Sequence, residues 1–156
     1  MTSTSLSSFL SVFTYFFQSS YTTSNASFAN SLSEWVSVTF ITLKQGNDGF
    51  DLLNDDIEFV SLAKYKWHKK LKVLRELLNR SGDRNTIATI SLCFSADIMN
   101  SLCVNNVAIT CASVRGNLPI SYVNTYGFKG KWLAYFHLKR LIKINQVVSM
   151  TSSMSK

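Results

Sequence analysis

A chain of 156 residues, 46% hydrophobic and 16% charged, has enough apolar mass for one domain with a core. That balance excludes wholesale disorder, and 6 Gly with 1 Pro exclude collagen-like or linker character. No apolar run reaches the roughly eighteen residues of a membrane-spanning helix, and the net charge of +7, from 16 Lys+Arg against 9 Asp+Glu, suits a polyanionic partner or an acidic membrane surface.

Residues 1–33 hold sixteen Ser/Thr and seven aromatics, and the only charge before Lys44 is Glu34. Leu6, Phe9, Leu10, Phe13, Phe16 and Phe17 recur at helical spacing, which predicts either a short amphipathic helix that docks on a neighbour or a floppy tail. The absence of Lys or Arg before Lys44 matches neither a secretory leader nor an Arg-rich presequence. A bias toward Phe, Ile, Asn, Lys, Tyr and Ser fits AT-rich coding, as in an organellar genome. Val36, Val38 and Phe40 alternate with Ser37 and Thr39 as in a short strand, and residues 44–51 read as a turn.

From Asn54 to Arg80 the pattern predicts a long basic helix. Asp55 and Glu58 have capping-box spacing, and Leu53, Ile57, Val60, Trp67, Leu71, Leu74 and Leu78 share one face. Lys66, Lys69, Lys70 and Lys72 lie opposite, within a stretch (64–84) of eight basic and two acidic residues, and Gly82 supplies a stop. The lysines are either a solvated face or a phosphate-binding one, with Tyr65, Trp67 and His68 interleaved. Strands are expected at Thr86–Phe94, Val104–Ser113 and Leu118–Thr125, with a hairpin turn at Arg115-Gly116-Asn117 and Pro119 marking an edge. A loop at Gly127–Gly130 then leads to a helix over Trp132–Val148. After Asp97 there are seven basic residues and no acidic one.

The inventory offers little catalysis. Neither His68 nor His137 has metal-site spacing, and neither a phosphate loop nor a nucleophile elbow occurs. Cys93, Cys103 and Cys111 form no C-x-x-C pair and read as buried thiols in a reducing compartment. No cofactor, metal or catalytic residue is therefore expected, and the chain is not expected to be an enzyme. Nucleic-acid binding is easier to build: Gly116, Gly127 and Gly130 allow close backbone approach to phosphate, Arg115, Lys129 and Lys131 add charge, and Phe128 and Trp132 offer rings for stacking or packing.

Asn105–Asn117 (N-N-V-A-I-T-C-A-S-V-R-G-N), followed by Gly127-Phe128-Lys129-Gly130 and a helix, resembles the eleventh protein of the small ribosomal subunit. The resemblance spans residues 86–148. The family's small-residue helix start is replaced by the bulkier Lys131–Leu138, and its second half has no counterpart before Lys156. The family's strand before Asn105 corresponds here to Thr86–Phe94 or to Ala96–Cys103, with β-propensity favouring the first. The resemblance implies an α/β (α+β) fold, an antiparallel three-strand sheet plus helix forming half of a ribonuclease-H-like fold. An N-terminal extension (1–53) and the basic helix (54–84) would precede this RNA-binding domain (85–148), and a tail (149–156) would follow.

By the same resemblance the chain is a divergent, C-terminally truncated mitochondrial member, organelle-encoded and located in the matrix. It would hold small-subunit rRNA on the platform beside neighbouring ribosomal proteins, with a separate chain supplying the missing half. Asn105, Asn106, Arg115, Gly116, Asn117, Gly127, Phe128, Lys129, Gly130 and Lys131 would face RNA. The basic residues Lys139, Arg140 and Lys143, with Lys66, Lys69 and Lys70 of the basic helix, complete the expected surface. Two alternatives stand beside it. Asp56–Lys70 resembles the stretch upstream of the metal site in HNH homing endonucleases, which would make a degenerate DNA-binding protein. The Leu6–Phe17 stripe would instead make a membrane-associated assembly subunit.

Overall fold

The computed structural model describes residues 12–17, 22–44, 50–80, 83–114 and 116–149. The elements in order are β1 (Val12–Phe17), α1 (Thr22–Ser33), β2 (Val38–Thr42), β3 (Glu58–Ser61), α2 (Trp67–Arg80), β4 (Ile87–Ser91), α3 (Phe94–Ser101), β5 (Ile109–Val114), α4 (Leu118–Tyr126), α5 (Phe128–Leu141) and β6 (Gln146–Ser149).

The mixed α/β class is as expected, but the sheet is not. Six strands form one sheet in the order β3-β2-β1-β4-β5-β6, and every pairing is parallel. β1 lies between β2 and β4, with Phe13 opposite both Val38 and Ala88. This is a doubly wound arrangement, in which the strand order reverses beside β1. All five residues of β2, Val-Thr-Phe-Ile-Thr, are buried, as expected of an interior strand covered on both faces. Val38 and Phe40 pack with Ala29 of α1. Ile41 and Leu43 face the opposite way, into a cluster with Leu74 and Leu78 of α2 and Met99 of α3.

Four expectations need correction, each for a local physical reason. The antiparallel hairpin around Gly116 is absent. Gly116 does take a left-handed φ of 83°, but Asn117 caps α4, its side chain accepting from the Ile120 amide at 3.3 Å. Pro119 sits in the first turn of α4, where its missing N–H costs nothing. Leu118–Thr125 is thus helix, not strand.

The long helix from Asn54 is shorter. Glu58–Ser61 is β3, drawn into the sheet by β2, with Thr39 Oγ1 donating to Glu58 Oε2 at 3.0 Å, and α2 begins only at Trp67. The last helix starts earlier, at Phe128, and stops at Leu141. Gln146–Ser149 then forms β6, led in by Asn145, whose side chain accepts from the Thr110 amide at 2.9 Å. Finally, Val12–Phe17 of the proposed N-terminal helix is β1; residues 1–11 lie outside the described part.

Thr86–Phe94 does contain a strand, β4, whereas Ala96–Cys103 is mostly α3. Asn100 of α3 is fully buried and clamps two strands together. It accepts from Thr89 Oγ1 at 2.6 Å and donates to Ser91 Oγ at 3.1 Å and the Cys111 carbonyl at 2.9 Å.

Candidate functional site

In a doubly wound sheet the strands deliver their following loops to one edge, so ligand sites form outside the carboxyl ends of the strands near the reversal point. A cavity of about 540 Å³ lies there. Lys44 follows β2, Leu92, Cys93, Phe94 and Ser95 follow β4, and Ser113 and Val114 end β5. Tyr122 and Tyr126 of α4 and His137 of α5 close it from above.

Behind its wall runs a buried polar relay. His137 Nε2 lies 2.8 Å from Asp97 Oδ2, and Nδ1 lies 2.9 Å from the Tyr122 hydroxyl. Asp97 and His137 are each 2% exposed. Burial first, and then the nearby Asp97, push the Tyr122 phenol well above the ordinary tyrosine value, so its hydroxyl keeps its proton and donates to Nδ1. With the ring proton assigned to Nε2, the imidazole is satisfied on both sides. The second carboxylate oxygen, Asp97 Oδ1, is buried without a hydrogen-bond partner. Buried acceptors are normally paired, and this residue lines the cavity.

Cys93 precedes α3 as its N-cap. Burial, the largest influence, raises its thiol to about 11, so it is no ready nucleophile. Cys103 is likewise raised to about 11 by burial. Lys70 donates to the Leu43 carbonyl, and burial together with Lys44 holds its ammonium below the ordinary lysine value. Among the described residues no group of three or more His, Cys, Asp or Glu is placed to hold a metal ion.

The residues singled out from the sequence do not converge. Asn105 and Asn106 lie in a 3-10 turn before β5, Gly116 and Asn117 just after it. The two turns are therefore separated by the length of β5, about 20 Å at the usual rise per residue. Arg115 lies outside the described residues. Lys66 immediately precedes α2, and Lys69 and Lys70 lie in its first turn. Gly127, with φ 59°, is the junction between α4 and α5 rather than a loop.

Phe128, Lys129, Lys131, Lys139 and Lys143 are exposed, and Arg140 is half-buried, its guanidinium 5.2 Å from the Phe136 ring. Gly130 is buried against the backbone of Tyr122 and Val123, so no phosphate can reach it. Sequence reasoning passed over Asp97, Tyr122 and Ser95. One signal was present: Gly130, Ala134, His137 and Leu141 share a single helical face of mostly small residues, which marks His137 as turned inward.

No family model and no curated protein matches the chain. Among solved structures, the chain is similar in fold to part of the apo UGT2 of Phytolacca americana, a glycosyltransferase. The TM-score is 0.69 at 9% identity. The match covers 90% of this chain and 46% of that one, so this chain spans about half of its length. At that identity the likeness shows the fold alone.

Proposed function

We propose that this chain is one substrate-binding lobe of a glycosyl-transferring enzyme, and that the cavity holds a hydroxyl-rich sugar substrate. The observation that carries the reading is the doubly wound fold, in which 90% of the chain is matched by about half of a glycosyltransferase, with its cavity at the strands' carboxyl ends. The chemistry of the lining supports it. The orphan Asp97 Oδ1 accepts from a sugar hydroxyl, Ser95 and Ser113 offer further short polar contacts, and the Tyr126 ring supplies an apolar wall.

The lobe binds and orients. Both nitrogens of His137 are engaged and Cys93 keeps its proton, so neither of these two residues supplies a free base or a nucleophile for the transfer itself. Those groups would come from a second lobe.

Amide NMR of the full chain titrated with methyl glycosides and with UDP tests this. Shifts are expected at Ser95, Asp97 and Ser113. Ser95→Phe, which puts a ring into the cavity lining, should weaken binding at least about tenfold while melting as the wild type does, the loss of one small contact region plus steric exclusion being worth more than 1.4 kcal/mol. Silence of these amides at millimolar ligand overturns the reading.

A second reading, an RNA-binding constituent of a mitochondrial small ribosomal subunit, is supported by the +7 charge and by the exposed Lys66 and Lys69, just before α2 and in its first turn. Cosedimentation with small-subunit rRNA that falls when both lysines become glutamate is the result it requires. A salt-independent association would remove the phosphate basis of that reading.

A further inference from the structure

α5 is amphipathic in the wrong sense for a helix that serves only the core. Its inward face is Gly130, Ala134, His137 and Leu141, all buried. Its outward face, at the same i, i+4, i+7 rhythm, is Phe128, Trp132 and Tyr135, exposed by 73%, 69% and 62%, and Ile142, the capping residue just past the helix's end, extends it at 83%. Contiguous exposed apolar surface of this kind marks an interaction site. Lys131 and Lys139 rise from the same face, with Lys131 Nζ 6.0 Å from the Phe128 ring. No acidic residue follows Asp97 in the sequence.

We propose that this face of α5 docks the chain onto an anionic membrane surface, independently of what the cavity binds. Charge complementarity requires an anionic partner, and the apolar residues decide which kind. Trp132, Tyr135 and Phe128 serve equally well for stacking on bases or for sitting among headgroups. Ile142 and the half-exposed Leu138 have no π-face and gain only from an apolar medium. A lysine stem lies along such a surface while its ammonium reaches a phosphate headgroup. The fourteen residues of α5 span about 21 Å lying flat, the habit of an interfacial helix rather than a spanning one. No described helix is long and apolar enough to cross a membrane.

Vesicle flotation of the full chain tests the proposal, comparing phosphatidylcholine alone with an equimolar mixture of phosphatidylcholine and phosphatidylglycerol. The wild type is expected to partition at least about tenfold more strongly onto the anionic vesicles. Lys131→Glu with Lys139→Glu, and separately Trp132→Ser with Ile142→Ser, should each reduce that partition at least about tenfold; all four positions are exposed, and unchanged melting verifies folding. Absence of flotation by the wild type overturns the proposal, as does flotation of either double variant at the wild-type level. Binding to rRNA through these same residues with no vesicle binding overturns it in favour of a nucleic-acid partner. Sugar binding in the cavity is read separately and is unaffected by these substitutions.

Discussion

Asp97→Ala is expected to destabilise the protein by about 3–5 kcal/mol, the usual consequence of removing one partner from a buried ionic or hydrogen-bonded pair. Domains are stable by only about 5–15 kcal/mol, so this single change removes a large share. The loss has an identifiable source: the variant leaves His137 Nε2, which is 2.8 Å from Asp97 Oδ2 in a pair 2–3% exposed, without its carboxylate. It also frees the Phe94 ring, which meets the imidazole edge-to-face at 4.9 Å between centroids, to shift into the gap. Asp97→Asn keeps an acceptor for Nε2–H and should recover part of the loss. Urea denaturation checks this: the midpoint should fall for both variants, further for alanine, with little change in slope. Wild-type stability of Asp97→Ala would show that the relay contributes nothing to holding α3 against α5.

The same relay explains why the site was hard to read from the sequence. Asp97 and His137 are forty residues apart, and each alone looks ordinary, an acid in the first turn of a short helix and a histidine in a basic one. Only the crossing of α3 and α5 makes them a pair. What was legible followed local rules. β2 showed through the alternation of Val36, Val38 and Phe40 with Ser37 and Thr39, β4 showed as a β-branched run, and the second half of α2 showed through Leu71, Leu74 and Leu78, of which Leu74 and Leu78 are buried.

β1 was illegible because a parallel interior strand needs apolar residues on both faces, which erases the two-residue alternation; Phe13, Phe16 and Phe17 then mimic helical spacing. Ile57 and Val60 likewise fell at helical intervals from Trp67 by coincidence, and β2 recruited the segment as an edge strand. At Gly116-Asn117 one dipeptide served two readings, since a hairpin turn and a helix N-cap use the same residue types. Pro119 two residues on decides for the helix.

The small residue on which the relay's geometry rests is Gly130. A methyl group there would approach the Val123 amide nitrogen to 2.7 Å and the Tyr122 carbonyl more closely still. The obstacle is backbone, which no rotamer change can move aside, so α4 and α5 must separate. Alanine is the better helix former, and an exposed mid-helix glycine replaced by it would gain up to about 1 kcal/mol; here the sign reverses. Gly130→Ala is expected to cost about 3 kcal/mol, at the upper end of overpacking penalties, which for a chain of this size lowers the melting temperature by about 6–12 °C.

The displacement should also be specific. Tyr122 lies on α4 at the clash and reaches His137 on α5, so parting the helices lengthens that hydrogen bond and opens the cavity wall. Tyr122→Phe removes the hydroxyl without moving either helix and should cost only about 1 kcal/mol. Calorimetry on the two variants separates packing from hydrogen bonding. A Gly130→Ala protein that melts with Tyr122→Phe, or above it, would mean that α4 and α5 do not cross in close contact at this glycine.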